Sequence, residues 1–343
     1  MSKHKKKNKH LNKIRKVEQL ATQPSVLPMS LEKEQTDKDG ITGKNLMKYK
    51  YLYLAISAFF IIPGVVSLAL FGLKTSIDFT GGSVLKYSRP DGSWDKSRIE
   101  QILADKGVEV ISLTDEDGGR TLNIKAKSVD ADRNEEIKTE IIGSDESVSQ
   151  TSFETVGPSI GAETVKKSLL AFSVACLCIV LYIAYAFRNV PKPFSGLRFG
   201  VSAILAMVHD TVIVTGMFSI LGQFRGVEVD PMFITALLTT LGFSVHDTIV
   251  VFDRMRENLG KFKSRSTEWI ANYAVLETMR RSLINSATIV ITLTALFVFG
   301  GVTIKWFVFA LLVGVISGTY SSMFNAVPVL VIWENFLNKR TKK

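Results

Sequence analysis

Cysteine is almost missing from this chain: the only two, Cys176 and Cys178, lie inside one apolar run. Two positions apart on a helix they face different directions, which excludes a disulfide framework and a thiol metal site. A G-x-x-x-x-G-K-[ST] loop is also missing, since Gly43-Lys44 lacks both the earlier glycine and the following hydroxyl. Nucleotide hydrolysis by that route is excluded. An ion gradient is then the natural source for mechanical or transport work, a unit charge crossing 100 mV releasing about 2.3 kcal/mol. No cleavable signal peptide is expected, because the first apolar run begins near Tyr51 behind a basic tail too long for an ordinary n-region. Acidic residues are few beside basic ones, 32 against 42, for a formal charge of +10. Much of the excess lies between Lys3 and Lys16. It reads as a cytoplasmic tail near anionic lipid or ribosome, and no nucleic-acid partner is expected.

What is abundant is apolar. Hydrophobic residues make up 46% and charged residues 22%, and the two are segregated along the chain. Long uncharged runs alternate with polar stretches, which indicates a polytopic α-helical membrane protein. Six spans are predicted at about Tyr51–Phe71, Leu169–Phe187, Phe199–Leu221, Met232–Phe252, Leu283–Phe299 and Trp306–Trp333. The domain reading is a disordered basic tail at 1–48, helix 1 at 49–73, an extracytoplasmic head at 74–165, helices 2–6 at 166–335 and a basic tail at 336–343. A basic loop at 254–281 separates helices 4 and 5. Its Trp269-Ile270, Tyr273–Leu276 and Met279 suit an amphipathic helix lying on the membrane or a docking surface for a partner.

Arg188, Lys192 and Arg198 share one side with the 254–281 loop and the basic C-terminus, while the opposite loops hold only Arg225 and Lys305. Both termini are therefore expected in the cytoplasm and the head outside. Within the head, strand and helix periods alternate in the order β-α-β-β-α-β, a small α+β ferredoxin-like domain. Its size suits docking or binding better than a deep catalytic cleft.

Charge inside the spans is the main functional signal. Val208-His209-Asp210-Thr211 lies in the third span and Val245-His246-Asp247-Thr248 in the fourth. A carboxylate at a helix centre costs roughly 2.5–3.5 kcal/mol on insertion scales, so a partner or a function is expected. At about 1.5 Å per residue, Asp247 lies about 9 Å from the cytoplasmic end and Asp210 about 18 Å in. Arg281, opening the fifth span, can reach toward Asp247. Paired, the carboxylate stays ionised; separated in low dielectric, it takes a proton. The alternatives are static interhelical hydrogen bonds for the acids, His209 and His246, and interfacial snorkelling for Arg281. The glycines of Asp78-Phe79-Thr80-Gly81-Gly82 and of Gly157-Pro158-Ser159-Ile160-Gly161 mark two head–membrane junctions, read as hinges or as plain tight turns.

Together Ile77–Gly82, Val156-Gly157-Pro158, His209-Asp210 and the run Gly242–Asn258 resemble the SecD/SecF family of protein-export membrane proteins, in the resistance–nodulation–division (RND) superfamily. The likeness spans roughly residues 50–335 and is to the SecF half. It implies half of an RND-type bundle in a bacterial cytoplasmic membrane. The implied partners are SecD, the SecYEG channel, YajC and the translocating polypeptide. The implied work is gradient-driven protein export, coupled to protons or, in some relatives, sodium, without enzyme activity or cofactor. The family's fourth-span carboxylate falls on Asp247 and its fifth-span arginine on Arg281. His246 stands where the family usually has Asn, and its imidazole favours protons. A small-molecule efflux subunit and a passive assembly factor are the competing readings.

Overall fold

The computed structural model describes residues 45–143, 147–191 and 194–341. The tail up to residue 44, Lys192-Pro193 in the expected turn and the last two lysines lie outside the described residues. After a 3-10 turn capped by Asn45, helix α1 runs Lys50–Phe71. A short helix α2, Ile77–Thr80, leads into the head. There β1 (Gly82–Ser88), α3 (Lys96–Asp105), β2 (Val110–Glu116), β3 (Thr121–Ala126), α4 (Ala131–Gly143) and β4 (Ser149–Val156) follow in order. Long helices complete the chain: α5 Pro158–Ala186, α6 Gly196–Arg225, α7 Pro231–Lys261, α8 Thr267–Phe299 and α9 Lys305–Ser321. A π-helical turn at Ser322–Ala326 passes into α10, Val327–Thr341. Among the described residues six helical segments are long and apolar enough to span a bilayer, α9, the π turn and α10 forming the last.

The head sheet has the order β2-β3-β1-β4 with every pair antiparallel, as the ferredoxin-like expectation requires. Alternation places Leu85 and Tyr87 of β1 and Leu122, Ile124 and Ala126 of β3 on one face. Ile99, Ile102 and Leu103 of α3 and Ile137 of α4 cover that face, giving the head its own core. Asp95 starts α3 by accepting from Arg98 N at 3.1 Å.

The head is tied to the membrane domain by more than its two chain connections. The α6–α7 loop lies as a parallel bridge beside the exit of α1: Val229 N donates to Lys74 O at 2.8 Å and Ser76 N to Val229 O at 2.9 Å. Lys125 of β3 forms an ion pair with Glu228 of the same loop. The head is thereby attached just ahead of the start of α7.

In the membrane, α6, α7 and α9 make the inner layer, while α1, α5 and the second half of α8 turn large apolar side chains outward. Close crossings occur where side chains are small. A Cβ on Gly216 of α6 would stand 2.6 Å from Gly64 Cα of α1. Beside this contact Ser67 and Ser219 share a 2.8 Å hydrogen bond.

At the basic end the structure corrects one expectation. The apolar face of residues 267–279 does not stand free for lipid: they form the first half of α8, with Ile270, Ala274 and Val275 in one buried core with Met255 and Leu259 of α7 and Leu330 of α10. Their apolar face meets the apolar extensions of those helices, a match that periodicity in one helix does not reveal. Glu268 accepts from Lys50 and Asn335, Glu277 pairs with Arg254, and Arg198 bonds Glu334 at 2.8 Å. The helix ends at this face are stitched together.

The crossing and the cap can each be tested. Gly216→Leu must force α1 from α6, at about 1–3 kcal/mol for overpacking. A lowered thermal midpoint in detergent is expected, whereas Gly242→Ala, with open space around it, does not lower it. Asp230 caps α7 by accepting from Phe233 N at 2.7 Å. Burial holds its carboxyl above the usual carboxylate range, and neighbouring Asp78 adds to the effect. An acid that binds protons more tightly when folded loses stability as pH rises from the unfolded value of about 3.9 to the higher folded one. Asp230→Asn keeps an equivalent cap without the charge. Its thermal midpoint should exceed wild type at pH 7 and match it near pH 3, while Asp230→Ala falls by about 1 kcal/mol with the lost cap.

Candidate functional site

Two carboxylates, Asp210 and Asp247, stand within the apolar stretches of the inner layer, and their surroundings differ. Asp210 on α6 is 2% exposed. Its Oδ1 accepts from Ser317 Oγ at 2.6 Å and lies 2.9 Å from His209 Nδ1. Its Oδ2 accepts from Ser244 Oγ at 2.5 Å and Ser321 Oγ at 2.7 Å. An ionised carboxylate offers about four acceptor positions, and here all are used. The donors come from α6, α7 and α9, so one acid ties three helices.

The approach needs small residues. A Cβ on Gly318 would stand 3.0 Å from Ser244 Cβ and 3.6 Å from Asp210 Oδ2. One turn earlier, Gly314 faces Thr240 in the same manner. Ser321 is the last residue of α9 before the π turn, where helices often widen at functional sites.

Asp247 is half-buried on α7, one turn beyond Ser244. It lines a cavity of about 350 Å³ with Ser244, Asn285 and Ser286 of α8, and Gly318 and Thr319 of α9. Asn285 and Thr288 on its rim are exposed, so the cavity opens sideways from the bundle. Ser244 belongs to both centres, lining this cavity and donating to Asp210.

The expected Asp247–Arg281 pair is not formed. Among the described residues no ion pair joins them, and Arg281 is exposed. The reason is register: Asn285 and Ser286 occupy α8 beside Asp247, and Arg281 sits one turn nearer the basic end. His246 lines the cavity rim and is exposed, while His209 is buried against Asp210. The structure thus joins Asp210 with His209, places Asp247 and His246 at the cavity and leaves Arg281 outside it.

The two junction motifs form one packed joint. Asp78 accepts from Ser76 Oγ at 3.1 Å. Gly81 has φ 72°, and a Cβ there would stand 2.9 Å from Pro158 Cα. A Cβ on Gly161 would stand 2.8 Å from Gly81 N. Gly82, at φ 128°, lies against Ala126 O of the head, and Gly157 precedes Pro158 at the start of α5. Close approach accounts for Gly81, Gly82 and Gly161.

Sequence reasoning missed Ser244, Ser317, Gly318 and Ser321. A signal was present: Gly314, Ser317, Gly318 and Ser321 form a small, hydroxyl-bearing stripe in an apolar span.

Known proteins resemble this chain. The family model for the protein export membrane protein SecD/SecF, C-terminal, matches residues 136–336. The protein translocase subunit SecF of Thermobaculum terrenum is 42% identical over 304 residues, covering 85% of this chain and 94% of the relative. That of Anaerolinea thermophila is 40% identical with the same coverage. Among solved structures, SecDF of Thermus thermophilus, a translocon-associated membrane protein, superposes with a TM-score of 0.73 at 29% identity, over 88% of this chain and 41% of that one. SecDF in a super-membrane-facing form gives 0.63 at 28% identity, over 87% and 40%. The chain spans about two-fifths of those SecDF chains. With a family model over more than half its length and relatives matched nearly end to end, this chain, a multi-pass bacterial membrane protein, belongs to the SecD/SecF family.

Proposed function

We propose that this chain is the SecF-type subunit of a protein translocase, pairing with a SecD-type partner and using a proton gradient to assist export and membrane insertion of polypeptides. The observation that carries the reading is the Asp247 cavity: a polar pocket within the membrane, opening sideways from a bundle that is two-fifths of a solved SecDF chain. Such an opening suits a second half-bundle. SecYEG and YajC are proposed as further partners on the family resemblance. Both termini and the basic loops face the cytoplasm in this proposal, supported by the concentration of Lys and Arg at one end. The relatives matched over 94% of their length are named translocase subunits, which sets the efflux reading aside.

The coupling proposed is an exchange at Asp247. With Arg281 a turn away, the acid holds a proton in its cavity; when α8 moves inward, the guanidinium replaces that proton. A proton crossing 100 mV supplies about 2.3 kcal/mol to this rearrangement. The bridge between Val229 and Thr75 and the Lys125–Glu228 pair carry motion of α7 to the head, which holds emerging polypeptide against backsliding.

The test is gradient-driven export in proteoliposomes containing the complete complex. Asp247→Asn is expected to abolish the gradient-dependent component at normal complex abundance, and Arg281→Ala to do the same while Arg281→Lys retains part. Export by Asp247→Asn at the wild-type rate would remove the coupling claim. Variants that lower only complex abundance would support the assembly-factor reading instead.

A further inference from the structure

Asp210 has more around it than a static helix clasp needs. Its ionised form is fully served by four donors, two on each oxygen. Its protonated form is served too. A protonated carboxyl must donate, so one neighbouring hydroxyl must turn and accept. Ser321 Oγ can do so, because Gly318 O lies 3.3 Å away as a second acceptor for its hydroxyl. The same atoms therefore satisfy Asp210 in both states. His209, 8% exposed, adds an unused position: Nδ1 faces Asp210, and Nε2 is buried with no hydrogen-bond partner among the described residues. Ser244 supplies the connection outward, since it lines the Asp247 cavity and touches Oδ2.

We propose that Asp210 is a second proton-holding site, charged from the Asp247 cavity through the hydroxyl of Ser244 and made bistable by Ser321. The step balances as a hydrogen-bond shift. A proton donated from the cavity side forms a bond to Ser244 Oγ, the original Ser244 O–H bond breaks, and its proton is bound to Asp210 Oδ2. The carboxyl proton then swings toward Ser321 Oγ, which turns its own hydrogen from Asp210 to Gly318 O, and Ser244 rotates back to donate to Oδ2. Of the elements packed around Asp210, α6 contributes His209, α7 contributes Asp247 and the outward His246, and α9 contributes only hydroxyls at the site. Among the described residues no Lys or Arg pairs with Asp210. His209 acts as a positioning residue, its Nδ1–H holding Oδ1 so that Oδ2 is the oxygen that receives the proton.

This proposal rests on the proton-coupled reading of Asp247, and the experiment separates the two. Infrared difference spectra of the reconstituted complex are recorded across a pH titration, following the carbonyl stretch of protonated carboxyls. Beyond the bands of the other carboxyls, Asp230 included, two further titrating bands are expected in wild type. Asp247→Asn should remove one and Asp210→Asn the other. Ser321→Ala, which keeps the acid but removes the swivelling hydroxyl, should shift the pH at which the Asp210 band appears. Ser244→Ala should slow gradient-driven export by about tenfold, below the usual worth of a positioned proton-transfer group because cavity water replaces part of it. It should also reduce the solvent deuterium effect on that rate. A spectrum from which neither Asp210→Asn nor Ser321→Ala removes or shifts a band overturns the second site. So does a Ser244→Ala complex that loses only thermal stability, with rate per complex and pH profile unchanged. Loss of the Asp247 band assignment with the Asp210 band intact would instead sink the coupling reading alone.

Discussion

Hydrocarbon has no water to offer a carboxylate, and this one condition organises the membrane half of the protein. An acid buried as deeply as Asp210 must find its hydrogen bonds in protein, and most of its donors must reach it from other helices. Ser244 brings α7, Ser317 and Ser321 bring α9, and His209 adds a ring from α6 itself. Those backbones come this near only because Gly314 and Gly318 present no side chain at the crossing. The lipid-facing helices α1, α5 and α8 are arranged around the resulting triplet.

Asp247 is held differently. It stands half-buried beside polar groups of α8 and α9, in a cavity open to the side of the bundle. The contrast between a fully hydrogen-bonded acid and one facing open space, joined by a shared serine, makes the pair a connected system with an outer and an inner member. At the head end the α6–α7 loop lies directly against the exit of α1 and pairs with β3 through Glu228. The fourth span, which carries Asp247, therefore begins at the point where the head is attached.

Several features are legible in the residues alone. The six spans, the order of elements in the head and both intramembrane acids follow from periodicity and from the cost of charge in lipid. The apolar runs are shorter than the helices that contain them: α5 begins at Pro158, well before the run at Leu169, because a helix continues wherever its backbone is satisfied, in lipid or not. The segment 267–279 shows why amphipathicity misleads: an apolar face requires a cover without naming it, and here the cover is α7 and α10. Depth alone points Arg281 toward Asp247, and depth does not state which way a side chain faces.

The order of residues settled the class of protein, the number of crossings and the acids that stand inside them. These rest on local quantities, a run of apolar residues or a charge within one, that each segment carries unaided. Folding decided that Asp210 has four donors, that Asp247 faces a cavity and that the two junction motifs form one joint. Each of these needs atoms from helices far apart in the chain to arrive within hydrogen-bonding or van der Waals distance. Such meetings depend on how whole helices cross, and crossings are set by the combined packing of every contact surface.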